Sequence, residues 1–357
     1  MAGSSPARDR LGRQVTIKDV AALAGVSPAT VSHSLSGRRK ISESTTQRIR
    51  EAIDALGYAA DPVATALRRG STRLIGLVLR PRDAVQGSLQ GAAGFLELMG
   101  TAAIASLEQG WGLVHVPNTA SECDLSLPVD GYIVAHPFRD DPVLAQLHRA
   151  RKPVVTIDGF DDQDDQYDVR IDHAHGVREL LGGLDHRAHT HTALVTGTEP
   201  NRWNEEVKKS VIEVFHEEGS QLDVISLYEG EGVQGARKLI EGLIHDGARR
   251  ILVGPSRFAL GALDASHSLG FAVPEEVEVA AFTDSPLAAH AQPGITAMDV
   301  QAAEAGKRAV ENLLGQLSGS ANEGRKIVPA VRWRGSTRGQ VPEPGSPTTK
   351  PALRAPA

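Results

Sequence analysis

Apolar positions in the first sixty residues recur at helical spacing, and those after residue 73 come in short continuous runs. Between Val15 and Tyr58 the pattern predicts three short helices. Thr16 can cap the first, with Asp19 three residues on as the acidic half of a capping box, and Gly25 ends it behind Val20, Ala21, Leu23 and Ala24. Ser27 caps a second helix with Pro28 at its first position, where the missing N–H costs nothing. Ser42 caps a third, whose Ile49, Ile53 and Leu56 form an apolar stripe before Gly57.

From Arg73 the pattern becomes strand–helix alternation. Strands are predicted at 74–79, 113–116, 131–134 and 154–157, with helices over about 94–109 and 142–149. A second set follows: strands near 193–195, 224–227, 251–253 and 277–282, helices over 205–218, 235–245 and 259–269. Such alternation gives parallel sheets covered by helices on both faces, and two sets imply two lobes with a cleft at the carboxyl ends of the strands. Residues 1–13 and 338–357 read as disordered tails. The C-terminal tail has no leucine heptad that would build a tetramer.

Charge changes the picture. The net charge of −6 argues against a nucleic-acid binder, but its distribution argues the other way. Residues 1–70 carry 11 basic against 6 acidic side chains, and the remainder 27 against 38. A small basic head on a large acidic body leaves only the head to attract phosphates. Cys123 is the single cysteine and reads as a bystander thiol, excluding a disulfide framework. The first 13 residues are polar and no run approaches 18 apolar residues, so the sequence suggests a soluble cytoplasmic protein with no membrane partner.

The second helix exposes Ser27, Ala29, Thr30, Ser32, His33 and Ser36, small side chains with hydrogen-bonding tips, followed by Arg38, Arg39 and Lys40. A helix seated in a DNA major groove needs such a face, with cations where the flanking phosphates lie. An ordinary three-helix bundle with a polar exterior would share much of this pattern.

The run Thr16-Ile17-Lys18-Asp19-Val20-Ala21, with Ala24-Gly25-Val26-Ser27 and Thr30-Val31-Ser32, then Gly57-Tyr58 and Leu67, resembles the lactose-repressor (LacI/GalR) family. Landmarks such as Asp185-His186-Arg187 and Arg334-Gly335-Ser336-Thr337 extend the resemblance over about residues 15–337. It implies an all-α helix-turn-helix domain (14–60), a hinge (61–71) and an α/β two-lobed periplasmic-binding-protein-like effector and dimerisation domain (72–337). The implied function is a homodimeric transcriptional repressor on a palindromic double-stranded operator, under a small-molecule effector. Pro28, Ala29 and His33 would face base edges, His33 carrying most hydrogen-bonded readout; Ser27 lies on the same face. Thr16, Thr30, Ser32, Lys40 and Tyr58 would position the head on phosphates. Leu67 occupies the hinge position whose paired leucines wedge into the minor groove and kink the duplex.

The cleft departs from the family. Val207, Pro255-Ser256, Thr283 and Gly230 stand where an arginine, an asparagine–aspartate pair, an aspartate and an aromatic ring are expected. Phe95, Arg202, Trp203, Ser256 and Asp284 remain as cleft candidates for a sugar or other metabolite. A protein partner replacing the small molecule is the second reading. Gly230–Gly235 spells GxGxxG, but no acid ends the following strand at Ser256 to hold a ribose, so a nucleotide-dependent enzyme is disfavoured. His186, His189 and His191 lack a carboxylate or cysteine to complete a metal set, and no nucleophile elbow or P-loop occurs. No cofactor, metal or catalytic residue is implied.

Overall fold

A computed structural model describes residues 15–36, 39–59, 70–80, 93–119, 121–160, 167–184, 191–320 and 326–339. The chain divides into two compact units, Met1–Arg73 and Leu74–Ala357. Leu67, Arg38, most of the predicted hinge, the predicted N-terminal tail, all but residues 338 and 339 of the C-terminal one, His186 and His189 lie outside the described residues.

The first unit holds α1 (Ile17–Ala24), α2 (Pro28–Ser36) and α3 (Glu43–Leu56). The predicted caps are in place. The Asp19 carboxylate accepts from the Thr16 N–H at 2.8 Å and the Thr16 hydroxyl at 2.6 Å, and Gly25 turns left-handed at φ 66°. The Thr30 N–H donates to Ser27 Oγ at 3.1 Å, and the Thr45 N–H to Ser42 Oγ at 3.4 Å. Val20, Ala21, Ala24, Val31, Ile49 and Ala52 form the core, and Ile53, Leu56 and Tyr58 pack half-buried against it.

The second unit has two sheets. The first, in order β2-β1-β3-β4, holds β1 (Leu74–Leu79), β2 (Gly112–His115), β3 (Gly131–Ala135) and β4 (Val154–Ile157), all parallel. Helices α4 (Ala93–Glu108) and α5 (Pro142–Arg149) serve this lobe. The second sheet, in order β10-β9-β8-β7-β5-β6, holds β5 (Thr192–Thr196), β6 (Leu222–Ser226), β7 (Arg250–Val253), β8 (Glu278–Ala281), β9 (Thr296–Asp299) and β10 (Ala330–Arg332). Around it lie α6 (His173–Gly182), α7 (Arg202–Glu218), α8 (Gly232–His245), α9 (Ser256–Ser268) and α10 (Pro286–His290).

The apolar pattern did not predict α6, α10, β9, β10 or the long helix α11 (Ala302–Ser318). The buried face of α11 runs through Ala302, Ala305, Gly306 and Ala309 to Val310 and Leu313, with large apolar residues only in its second half. Nor does it stay with the strands before it. Its Ala305, Ala309, Val310 and Leu313 join Ile75, Leu77, Leu98, Ile133 and Ile157 in the core of the first lobe. The lobes are therefore not two successive segments, because the C-terminal part of the chain returns to the first. The expectation of parallel sheets is corrected at one edge, where β10 runs antiparallel to β9. Among the described residues no helix is long and apolar enough to cross a membrane.

Candidate functional site

Val31 of α2 is fully buried, and at 100° per residue Ala29 and His33 point the opposite way, with Ser32 on the flank. Ser27, Pro28 and Ala29 are exposed, and Ser32 and His33 are half-buried. The helix thus presents a short-side-chain face that can approach another surface closely. The Thr30 hydroxyl lies 2.8 Å from Ser27 Oγ, and that of Thr16 donates to Asp19, so both are engaged within the head. Tyr58 lays its ring on the core. Lys40 is exposed and shares a shallow groove with Arg50 and Gln47 at the start of α3. That second cation is one that the local pattern does not single out.

The other site is a cleft in the second unit with about 140 Å³ of room, lined by Phe95, Trp203, Ser256 and Asp284 among others. Arg202 is not among the residues that line it. Its guanidinium donates to Glu206 Oε1 at 2.6 Å and to the Gly159 carbonyl at 3.0 Å. Asp284 borders the cleft but its carboxylate is gripped by Arg334 through bonds of 2.8 and 2.6 Å. Ser256 opens α9, its N–H donating to Thr283 Oγ1 at 2.9 Å.

Sequence reasoning missed the groups that give this cleft its chemistry. At one end the buried Glu229 carboxylate accepts from the Thr198 hydroxyl at 3.0 Å, the Glu199 N–H at 3.0 Å and Asn204 Nδ2 at 3.1 Å. Burial pushes the Arg257 guanidinium down from its ordinary range, and the nearby charges of Glu229 and Glu199 oppose that shift. At the other end Asp158, itself buried, lies 2.7 Å from His173 Nε2 and 3.6 Å from His136 Nδ1 and accepts from the Ile171 N–H at 3.1 Å. Burial opposes the Asp158 charge, but His173 beside it, with His136, outweighs that and holds the carboxyl below the usual carboxylate range. These groups come from separate strands and turns, so no local pattern marks them.

The His136 ring sits edge-on to Phe95 with centroids 5.6 Å apart. Burial depresses its pKa below the ordinary 6.5, and this outweighs the attraction of Asp158. The folded state therefore holds a neutral ring where the unfolded chain takes up a proton, and stability falls as pH drops below 6.5. The Asp158 contribution is lost only at more acidic pH, as its depressed carboxyl titrates. We expect the melting temperature to fall between about pH 7 and about pH 5.5, and His136→Gln to flatten that slope. Equal slopes for the two proteins would remove His136 from this account.

Other motifs found different uses. The GxGxxG run is a 3₁₀ turn, Glu229–Glu231, leading into α8. A Cβ at Gly230 would meet the Tyr228 ring at 2.5 Å and one at Gly235 would meet Glu231 Cβ at 2.3 Å, so these glycines admit their own neighbours. His191 pairs with Asp223 at 2.7 Å. Among the described residues no group of three His, Cys, Asp or Glu side chains is placed to hold a metal ion.

Residues 16–61 match the family described as bacterial regulatory proteins, lacI family, and residues 183–337 match the periplasmic binding protein-like domain. The HTH-type transcriptional regulator reg1 of Streptomyces lividans is 30% identical over 358 residues, covering 93% of this chain and 99% of that protein. Catabolite control protein A of Streptococcus mutans is 28% identical over 336 residues, covering 91% and 98%. The crystal structure of the lac repressor dimer bound to operator and the anti-inducer ONPF superimposes with a TM-score of 0.77 at 20% identity, over 90% of this chain and 99% of that one. With full-length similarity at that level and the helical head and two-sheet body both in place, the chain belongs to the lacI family of bacterial transcriptional regulators.

Proposed function

We propose that this regulator is a cytoplasmic homodimeric repressor, reading a palindromic operator with α2 and responding to a small molecule in the cleft. The observation that carries the DNA half is the α2 face. Ala29 and His33 stand opposite the buried Val31, and Lys40 and Arg50 lie beyond the helix as phosphate ligands. Pro28 and Ala29 offer apolar contact to thymine methyls, and His33 supplies the hydrogen-bonded readout. Ser27, Thr30 and Ser32 act beside them, and Thr16 and Tyr58 approach the backbone. Support for a dimer comes from α4, where Leu96, Ile104 and Leu107 are 44, 59 and 75% exposed, more apolar surface than one helix ordinarily leaves in water. Leu67, near the junction of the two units in sequence, would be the wedge whose ordering the effector controls.

The test is footprinting on a palindromic fragment of the protein's own promoter, without cofactor, with circularly permuted fragments to read the bend. His33→Ala is expected to lose about 1–3 kcal/mol of discrimination between operator and random DNA. Lys40→Ala should weaken both alike and reduce the salt slope by about 1. If both variants lose equally on operator and random DNA, that division of labour is wrong.

A further inference from the structure

Among the described residues, His173 Nδ1, Trp203 Nε1 and Asn204 Oδ1, on side chains lining the cleft, are buried polar atoms that make no hydrogen bond, as is Nε of Arg257, whose guanidinium lies over the Phe258 ring. Leaving one such atom unsatisfied costs about 1–3 kcal/mol, so their gathering in the wall of one cavity describes what the cavity is built to take.

The polarity of each atom follows from the bonds its side chain already makes. The Trp203 indole N–H can only donate. Asn204 Nδ2 donates to the Glu199 carbonyl at 3.0 Å and to Glu229 Oε1 at 3.1 Å, both acceptors, so the amide cannot flip and Oδ1 is the free acceptor. His173 Nε2 lies 2.7 Å from the Asp158 carboxylate and carries the hydrogen there, so Nδ1 is the ring atom left facing the cavity.

Size and lining narrow the ligand further. The room of about 140 Å³ is close to that of a cavity known to hold a single benzene ring, about 150 Å³. Phe95, Leu98, Ile171, Val300, Ala302 and Ala305 supply apolar wall. A sugar ring would bring several hydroxyls against this wall, each costing free energy where it meets no partner. At the polar end the buried carboxylates of Glu199 and Glu229 stand near the Arg257 guanidinium and offset its charge, so an acid or phosphate gains little there.

We propose that the cleft takes a neutral, flat, single-ring aromatic molecule bearing one carbonyl-type acceptor and N–H donors, an aromatic amide in chemical class. The ligand carbonyl accepts from Trp203 Nε1–H, its N–H donates to Asn204 Oδ1, and its ring lies against the Phe95 side of the wall. This rests on the reading of the cleft as the effector site.

The experiment is isothermal titration of the full-length protein with benzamide and nicotinamide, against benzoate, glucose and cellobiose. The amides are expected to bind saturably and about tenfold or more tighter than benzoate or either sugar, a difference of about 1.4 kcal/mol. Trp203→Phe, which removes the N–H and keeps a ring, is expected to weaken benzamide about fivefold, the loss of one ordinary hydrogen bond. A sugar or benzoate binding as tightly as the amides, no saturable amide binding, or an unchanged benzamide affinity in a folded Trp203→Phe would each overturn the proposal. If that variant does not fold, the wild-type ranking of amide, acid and sugar decides alone. Operator affinity measured with each compound separates the two readings. Selective amide binding that leaves DNA affinity unchanged upholds this ligand class and defeats the effector reading. Operator release by glucose or cellobiose alone does the reverse.

Discussion

Gly306→Val is expected to destabilise the second unit by roughly 3 kcal/mol, at the upper end of what overpacking costs, because the obstacle is backbone rather than a movable side chain. Gly306 lies on α11 where that helix crosses α4. A Cβ there would sit 2.4 Å from the Leu98 carbonyl oxygen and 2.6 Å from Thr101 Oγ1. Nothing at the first contact can swing aside, so the helices must separate. Since α4 also carries Phe95 and Leu98 into the cleft, the same shift displaces one cleft wall. Urea unfolding of the full chain, followed by far-ultraviolet dichroism, should show an earlier transition for the second unit. A midpoint within experimental error of the parent protein would mean that the two helices are not held at this separation.

The second large effect is expected at Glu229. Truncation to alanine strips acceptors from the Thr198 hydroxyl, the Glu199 N–H and Asn204 Nδ2 together, and removes one of the two charges facing the buried Arg257. Breaking a buried charge network from one side costs about 3–5 kcal/mol, because the partner left behind stays desolvated. Glu229→Gln keeps an acceptor oxygen and the volume, so it should lose clearly less. The comparison is made by thermal melting near neutral pH. If alanine and glutamine lower the melting temperature equally, charge and hydrogen bonding at this position do not hold the floor of the cleft. A small change for both would dismiss the network as a structural element.

These two residues also mark where reading the chain residue by residue stops working. The head was legible because its determinants are local. Ser27 lies three residues before the N–H it caps, as does Ser42, Asp19 lies three after Thr16, and Val20, Ala21 and Ala24 recur at spacings that α1 turns inward. The central strands were legible for a related reason. Runs such as Leu74–Leu79 and Gly131–Ala135 are apolar throughout because both faces of a parallel sheet are covered. They could be placed without knowing what they touched.

The cleft was not legible, and the reason is sequence separation. Glu229 reaches back 25 to 31 residues to its partners, Asp158 meets His173 15 residues on, and Arg334 takes the Asp284 carboxylate across 50. One candidate chosen by residue type was thereby reassigned: Arg202 is drawn to Glu206 one helical turn away. Asp284 lines the cleft, but its carboxylate is held by an arginine from far along the chain. For α11 the signal is weak in the first half, where Gly306 comes too close to α4 for a side chain, and the large buried apolar residues begin only at Val310. Local periodicity and capping thus settle the three helices of the head, and its motif run carries the family resemblance, whereas the cleft's surroundings arise from contacts between segments that only folding brings together.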